Sequence, residues 1–106
     1  LPDSLDRVHV IVNRVRLAEP LPEQVLARAR EELPARAAAI AGMRSLHVVP
    51  VGADELLVVL AGDDEQAIDR LREEVGNDFM RRHVIPHAAG PPERSGGEAA
   101  VDWFRG

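Results

Sequence analysis

Six consecutive apolar side chains, Leu56-Leu57-Val58-Val59-Leu60-Ala61, stand between Glu55 and the acidic stretch Gly62-Asp63-Asp64-Glu65. The run is far too short to cross a bilayer, which takes about 20 residues. Its length and its valines read as a β-strand. A strand with one wet face alternates apolar and polar residues, whereas an unbroken run needs cover on both faces. Everything else in the 106-residue chain has to be arranged around that demand.

The flanking segments supply part of the cover. Arg7 to Arg16 (R-V-H-V-I-V-N-R-V-R) has valines at every second position and reads as a first strand. Pro22 suits the first turn of a helix, where a missing N–H costs nothing. Leu21, Val25, Leu26, Ala29, Leu33, Ala37 and Ile40 then recur at helical spacing. Pro34 predicts a kink or break inside that helix, and Gly42 its left-handed end. Met43 to Pro50 is a second strand, Val51 to Asp54 a turn, and Glu55 to Ala61 the third strand, making an antiparallel hairpin. Asp63 and Gln66 have capping-box spacing for a second helix. Ala67, Ile68, Leu71 and Val75 form the apolar stripe of that helix, and Gly76 closes it. Asn77 to Val84 reads as a short irregular helical turn, His87 to Gly97 as a Pro/Gly/Ser-rich loop, and Glu98 to Phe104 as a last strand.

Strand–helix–strand occurring twice is the βαββαβ order of a ferredoxin-like α+β fold: an antiparallel four-stranded sheet with both helices on one face. The first and third strands are central in that topology. Two helices cover only one side of the apolar run. Each large side chain left in water on the other side forfeits about 1.5–3 kcal/mol. The chain encodes no third layer, so the expected cover is the same sheet from a second copy, a homodimer.

Composition narrows the function. At 45% hydrophobic and 29% charged residues, the expectation is a single globular domain over residues 1–106. A net charge of −5 argues against nucleic acid and anionic membranes as partners. Three aromatic residues (Phe79, Trp103, Phe104) leave little for stacking on bases or sugars. Without cysteine there is no disulfide framework, thiol nucleophile or thiolate metal site. No secretory signal is visible, so a cytoplasmic location is expected; the start at Leu1 points to a trimmed natural N-terminus.

The stretch A-G-M-R-S-L-H-V-V-P-V-G-A-D-E-L-L-V-V-L-A-G-D-D-E-Q-A, residues 41–67, resembles the dimeric α+β barrel superfamily, in particular its antibiotic biosynthesis monooxygenase-like domains. The resemblance runs from Arg7 to about Asp102 and rests on hydrophobic and glycine patterning. It implies a barrel of eight strands built by two subunits, with a pocket between each sheet and its own helices. Members include cofactor-free oxygenases of polyphenolic substrates, haem-degrading enzymes and proteins of unassigned role. The expected function is therefore a small cofactor-independent monooxygenase-like protein acting on an aromatic or polyketide-type molecule. The alternative is a non-catalytic dimeric binding or accessory protein, and haem binding ranks third. No cofactor and no metal is expected.

Asn13 is the first site candidate, because oxygenase-like members place an asparagine on the first strand to orient substrate or bound oxygen. The sequence departs from them at Ala61, where they carry a tryptophan before the acidic cap. His9, Asn13 and His47 on facing strands would make a polar spot in apolar surroundings, able to hold an aromatic ligand and to move a proton. Buried polar groups satisfied by backbone and water are the plainer reading of the same three residues. Ser45 shares the face of His47, opposite Leu46 and Val48; Ser45, His9, Ile11 and Phe79 are the expected substrate contacts. His83 and His87 have i, i+4 spacing, but Pro86 disrupts the helix that metal ligation would need. His83 stays as a candidate proton carrier, because the resemblance puts a histidine after the second helix near the cleft. Arg28, Arg30 and Arg36, interleaved with Glu31 and Glu32, read as a solvated helix face. Arg81-Arg82 beside His83 could attract an anionic ligand, although two adjacent arginines are ordinarily just surface. Gly96-Gly97 precedes a strand and is no phosphate cradle, and Ser4, Ser45 and Ser95 lack a nucleophile-elbow context.

Overall fold

The computed structural model describes residues 8–103 and 105. Ser4, and the expected strand ends Arg7 and Phe104, lie outside the described residues.

The period-two pattern of the first strand becomes β1 (His9–Arg16). Ile11 and Val15 are buried on its helix side, so Val10 and Val12 turn to the opposite face. The apolar run becomes β3 (Glu55–Gly62) and its hairpin partner β2 (Met43–Val51). β1 and β3 lie in the middle of a four-stranded antiparallel sheet ordered β2-β3-β1-β4, the expected ferredoxin-like topology. The register pairs Ile11 with Leu60, Asn13 with Val58 and Val15 with Leu56, which puts these six on the helix side. Val10, Val12, Leu57, Val59 and Ala61 share the other face with Ser45 and His47. The helices leave that second face uncovered, and its apolar residues remain partly exposed.

The last strand is displaced from expectation. β4 is Glu93–Glu98, with all but Glu98 in the segment read as loop, rather than Glu98 to Phe104. Its six residues are all exposed, so it carries no apolar pattern. Backbone pairing to β1 holds it, His9 opposite Glu98 through Arg14 opposite Glu93. Gly96 permits this pairing: a Cβ there would run into Ile11 Cδ1 and sit 2.9 Å from the Val10 carbonyl. Downstream, Val101 and Trp103 are exposed rather than paired.

α1 (Glu23–Ala38) continues through Pro34 without a break. It buries Ala29, Leu33 and Ala37 against the sheet. Gly42 has φ +91°, in the turn that leads into β2 rather than directly at the helix end. Outward-facing charges pair as expected of a solvated face, Arg30 with Glu23 at 2.8 Å and Arg28 with Glu32 at 3.9 Å.

α2 (Glu65–Leu71) starts one residue later than the capping-box spacing implies. Asp64 is the N-cap and accepts the Ala67 N–H at 2.9 Å. Asp63 instead pairs with Arg44 at 2.6 Å. Ile68 and Leu71 are buried against the sheet, completing a core with Val15, Leu33, Leu56 and Leu60. Gly76 does not end the helix. The chain runs on through a π-helical stretch at Arg72–Gly76, a single α-turn at Asn77–Phe79, a second π-helical stretch at Met80–Val84 and a 3-10 turn at Ile85–His87. The Ala18 N–H donates to the His87 carbonyl at 2.9 Å and Ala89 N–H to Arg16 carbonyl at 2.8 Å, tying the end of this run to the end of β1. Among the described residues no helix is long and apolar enough to cross a membrane.

Candidate functional site

The helical run after Leu71 stands off the sheet and leaves a cleft of about 240 Å³ between them. Its floor is the helix side of the strands: Asn13 on β1, Leu46 and Val48 on β2, and Leu56, Val58 and Leu60 on β3. Its wall is Leu71, Val75, Phe79, Met80 and Val84, with Arg72, Asn77 and Arg81 toward solvent. Alternation makes the floor: each strand contributes every second residue, and the helices fail to fill the space above Asn13 and Val58. The π-helical winding shapes the wall. Hydrogen bonds that reach five residues back, such as Asn77 N–H to the Arg72 carbonyl, widen the turn and bring positions 72, 76, 77, 80 and 81 to one side. Arg36 on α1 donates to the Glu74 carbonyl at 3.1 Å, so one carbonyl of the widened stretch has a side-chain partner.

Among the described residues, Asn13 is the only polar side chain contributed by the strands to this cleft. An amide placed there both donates and accepts, among mostly apolar neighbours. No carboxylate or imidazole lines the cleft among the described residues.

The structure brings two of the seven sequence candidates to this space, Asn13 and Phe79. Ile11 is 3% exposed and lies on the same face one step toward His9, packed over Gly96 rather than in the cleft wall. His9 is on the helix side but at the strand end, where its Nε2 is 3.7 Å from Glu65 Oε1. His83 stacks behind the wall, its ring 4.9 Å from the Phe79 ring and tilted by 54°. Ser45 and His47 do not join Asn13. The β2 register puts them opposite Ala61 and Val59 on the uncovered face, so the three-residue polar cluster of His9, Asn13 and His47 is not formed within the protomer. Ala61 projects from that same face, opposite Val10, so its small side chain takes nothing from the wall of the helix-side cleft. His83 and His87 have separate partners, since His87 Nδ1 lies 2.7 Å from Glu19 Oε1.

Sequence reasoning missed Arg72, Asn77 and Met80 as cleft residues. The signal was present in the apolar spacing Leu71, Val75, Phe79 and Val84, which steps by four and five across Gly76 and points to one continuous, widened helix. Gly76 itself is explained by no packing demand. Its φ is −67°, and an added Cβ would meet only the Leu71 carbonyl at 3.8 Å. Gly76→Ala is expected to stabilise the protein by about 0.5–1 kcal/mol through lower unfolded-state entropy. The check is a urea titration, in which the midpoint rises while the slope stays constant.

No protein-family model matches the chain, and no curated protein does. Solved structures do match. The chain is similar to the NE2512 protein of unknown function from Nitrosomonas europaea, at 17% identity and TM-score 0.73, over 96% of this chain and 98% of that one. It is similar to a monooxygenase from the gene ActVA-Orf6 of Streptomyces coelicolor, solved with nanaomycin D, at 14% identity and TM-score 0.69 over 95% of each chain. A dimeric ferredoxin-like protein from an uncultured marine organism matches at 13% identity and TM-score 0.68, over 98% of this chain and 97% of that one. At such identities the match is one of fold. The four-stranded sheet with its helices on one face is a ferredoxin-like α+β protomer. The same fold is shared by a protein from Nitrosomonas europaea described as a putative antibiotic biosynthesis monooxygenase, at 10% identity and TM-score 0.68 over 88% of this chain and 90% of that one.

Proposed function

We propose that the chain is a homodimeric, cofactor-independent monooxygenase-like protein whose helix-side cleft takes an aromatic or polyketide-type molecule. One observation carries the reading: an apolar cleft of about 240 Å³ whose strand floor holds a single amide, Asn13. The fold shared with the Streptomyces monooxygenase supports it. In this reading the rings lie among Leu46, Val48, Val58 and Phe79, and the Asn13 amide donates to a substrate oxygen as that oxygen gains negative charge. A donor among apolar neighbours is worth more to a developing charge than one in open solvent. The overall change that needs no outside reductant turns a methylene between rings and O2 into a carbonyl and water. His83, packed against Phe79 outside the lining, is the imidazole assigned to take up the substrate proton.

The homodimer answers the uncovered face. Val10, Val12, Leu57, Val59 and Ala61 form a partly exposed apolar surface with the helices all on the other side. A second copy related by a two-fold axis offers an identical surface, and closing the two sheets together shields both.

A second reading, binding without turnover, is favoured by the absence of any carboxylate or imidazole among the described lining residues. Oxygen uptake separates the two. Purified protein is expected to consume oxygen with an anthrone or hydroquinone, and Asn13→Ala to lower kcat by about a hundredfold, the size reported for loss of one such donor. Saturable binding of the same molecules with no oxygen uptake above the uncatalysed rate would leave the binding reading standing in its place.

A further inference from the structure

Arg72 and Arg81 of the cleft wall, with Arg94 on β4 and Arg82 outside the lining, share two carboxylates. Arg72 and Arg94 both reach Asp69 Oδ1, at 3.3 and 3.6 Å. Arg81 and Arg82 both reach Asp78 Oδ1, at 2.9 and 3.2 Å. Arg72 and Arg81 line the cleft itself, and no Asp or Glu does. Glu73 and Glu74, the acids next to Arg72, are exposed and outside the lining. The lining of the cleft therefore carries two guanidinium groups and no carboxylate among the described residues, in a chain whose overall charge is −5.

The placement follows from the helix geometry already described. Arg72 and Arg81 are nine residues apart, no more than about 13 Å along the axis, and the widened turns bring both to the cleft side. Both ion pairs are spaced i, i+3, the Arg81 pair exposed and the Arg72 pair part-buried. An exposed pair contributes about 0–1 kcal/mol, and Asp69, half exposed, returns to water when a ligand's anionic group takes its place on Arg72. Arg72 is the stronger receiver: its side chain is 31% exposed against 77% for Arg81, and a less hydrated cation is screened less.

We propose that the cleft's ligand is a planar aromatic anion. Its rings occupy the apolar floor, and its carboxylate or ionised phenol is received by Arg72, with Arg81 flanking the same opening. The inference rests on the cleft being the ligand site and adds the charge of what enters it.

Calorimetric titration of the full chain with three naphthalenes tests it: 2-naphthoate, the ionised naphthol 2,4-dinitro-1-naphtholate, and neutral 2-naphthamide. At low salt at least one anion is expected to bind tenfold or more tightly than the amide. The identity of the preferred anion tells carboxylate from phenolate. The preference is expected to shrink at 0.5 M NaCl. Arg72→Gln removes it, lowering anion affinity tenfold or more beyond any change in amide affinity, Arg81→Gln reduces it, and Arg28→Gln on the outer face of α1 leaves it intact. Equal binding of amide and anions, or a preference that survives Arg72→Gln, overturns the anionic ligand while leaving the cleft as a binding site. Failure of all three to bind overturns both.

Discussion

Val12→Asp is expected to split the proposed homodimer into folded protomers. Val12 lies mid-sheet on the uncovered face, between Val59 of β3 and Ser95 of β4, with no charged side chain directly opposite. Within a single protomer that face meets no helix, so the substitution asks little of the helix-side core; the weaker strand preference of aspartate costs up to about 1 kcal/mol. In a two-fold assembly the same change acts twice, once from each copy. Each carboxylate loses its water for an apolar surface without a partner, at several kcal/mol per ion. The dissociation constant should therefore rise by at least about a thousandfold, each tenfold corresponding to about 1.4 kcal/mol. Sedimentation equilibrium at micromolar concentration checks this. The wild type is expected at twice 11.6 kDa and the variant at 11.6 kDa, with helical circular dichroism retained in both. A wild-type protein sedimenting at the protomer mass ends the dimer reading.

Ile68→Ala is expected to lower the stability of the protein by about 2–5 kcal/mol, through the lost apolar contact and the cavity left behind. Ile68 is fully buried on α2 and packs into the core beneath the helical run that forms the cleft wall. It does not line the cleft, so the effect is read in folding rather than in direct ligand contact. Domains of this size have about 5–15 kcal/mol in total, and each kilocalorie shifts the melting temperature by about 4–8 °C. A drop in melting temperature of about 10 °C or more follows. A drop below 3 °C would mean that α2 is held to the sheet by something other than this side chain.

Local pattern made much of the architecture legible. The apolar run of β3, the hairpin with β2 and the helical stripe of Ala67, Ile68 and Leu71 each announce themselves within a few residues, because burial selects side chains one element at a time. Asn13 was legible as a candidate from the resemblance and lies in the cleft floor. The errors have equally specific causes. Gly76 read as a helix end because glycine usually sits there, yet its backbone is ordinary right-handed helix. Asp63 and Asp64 are both competent N-caps; Arg44 engages the first and leaves the cap to the second. β4 was invisible because an edge strand of exposed residues is held by backbone hydrogen bonds, which leave no apolar imprint.

What the sequence by itself determined is the order of the elements, the central place of the β3 run and its need for cover on two sides. Only the tertiary structure decided which face of each strand meets the helices. β1 and β3 carry apolar residues on both parities, so alternation alone does not label inside and outside; the register between strands does. That register sends Asn13 into the cleft and His47 to the far side of the sheet. It also took the folded chain to place Arg72 and Arg81 beside the same opening, since the widened helical turns that align them depend on packing over the sheet rather than on helical period.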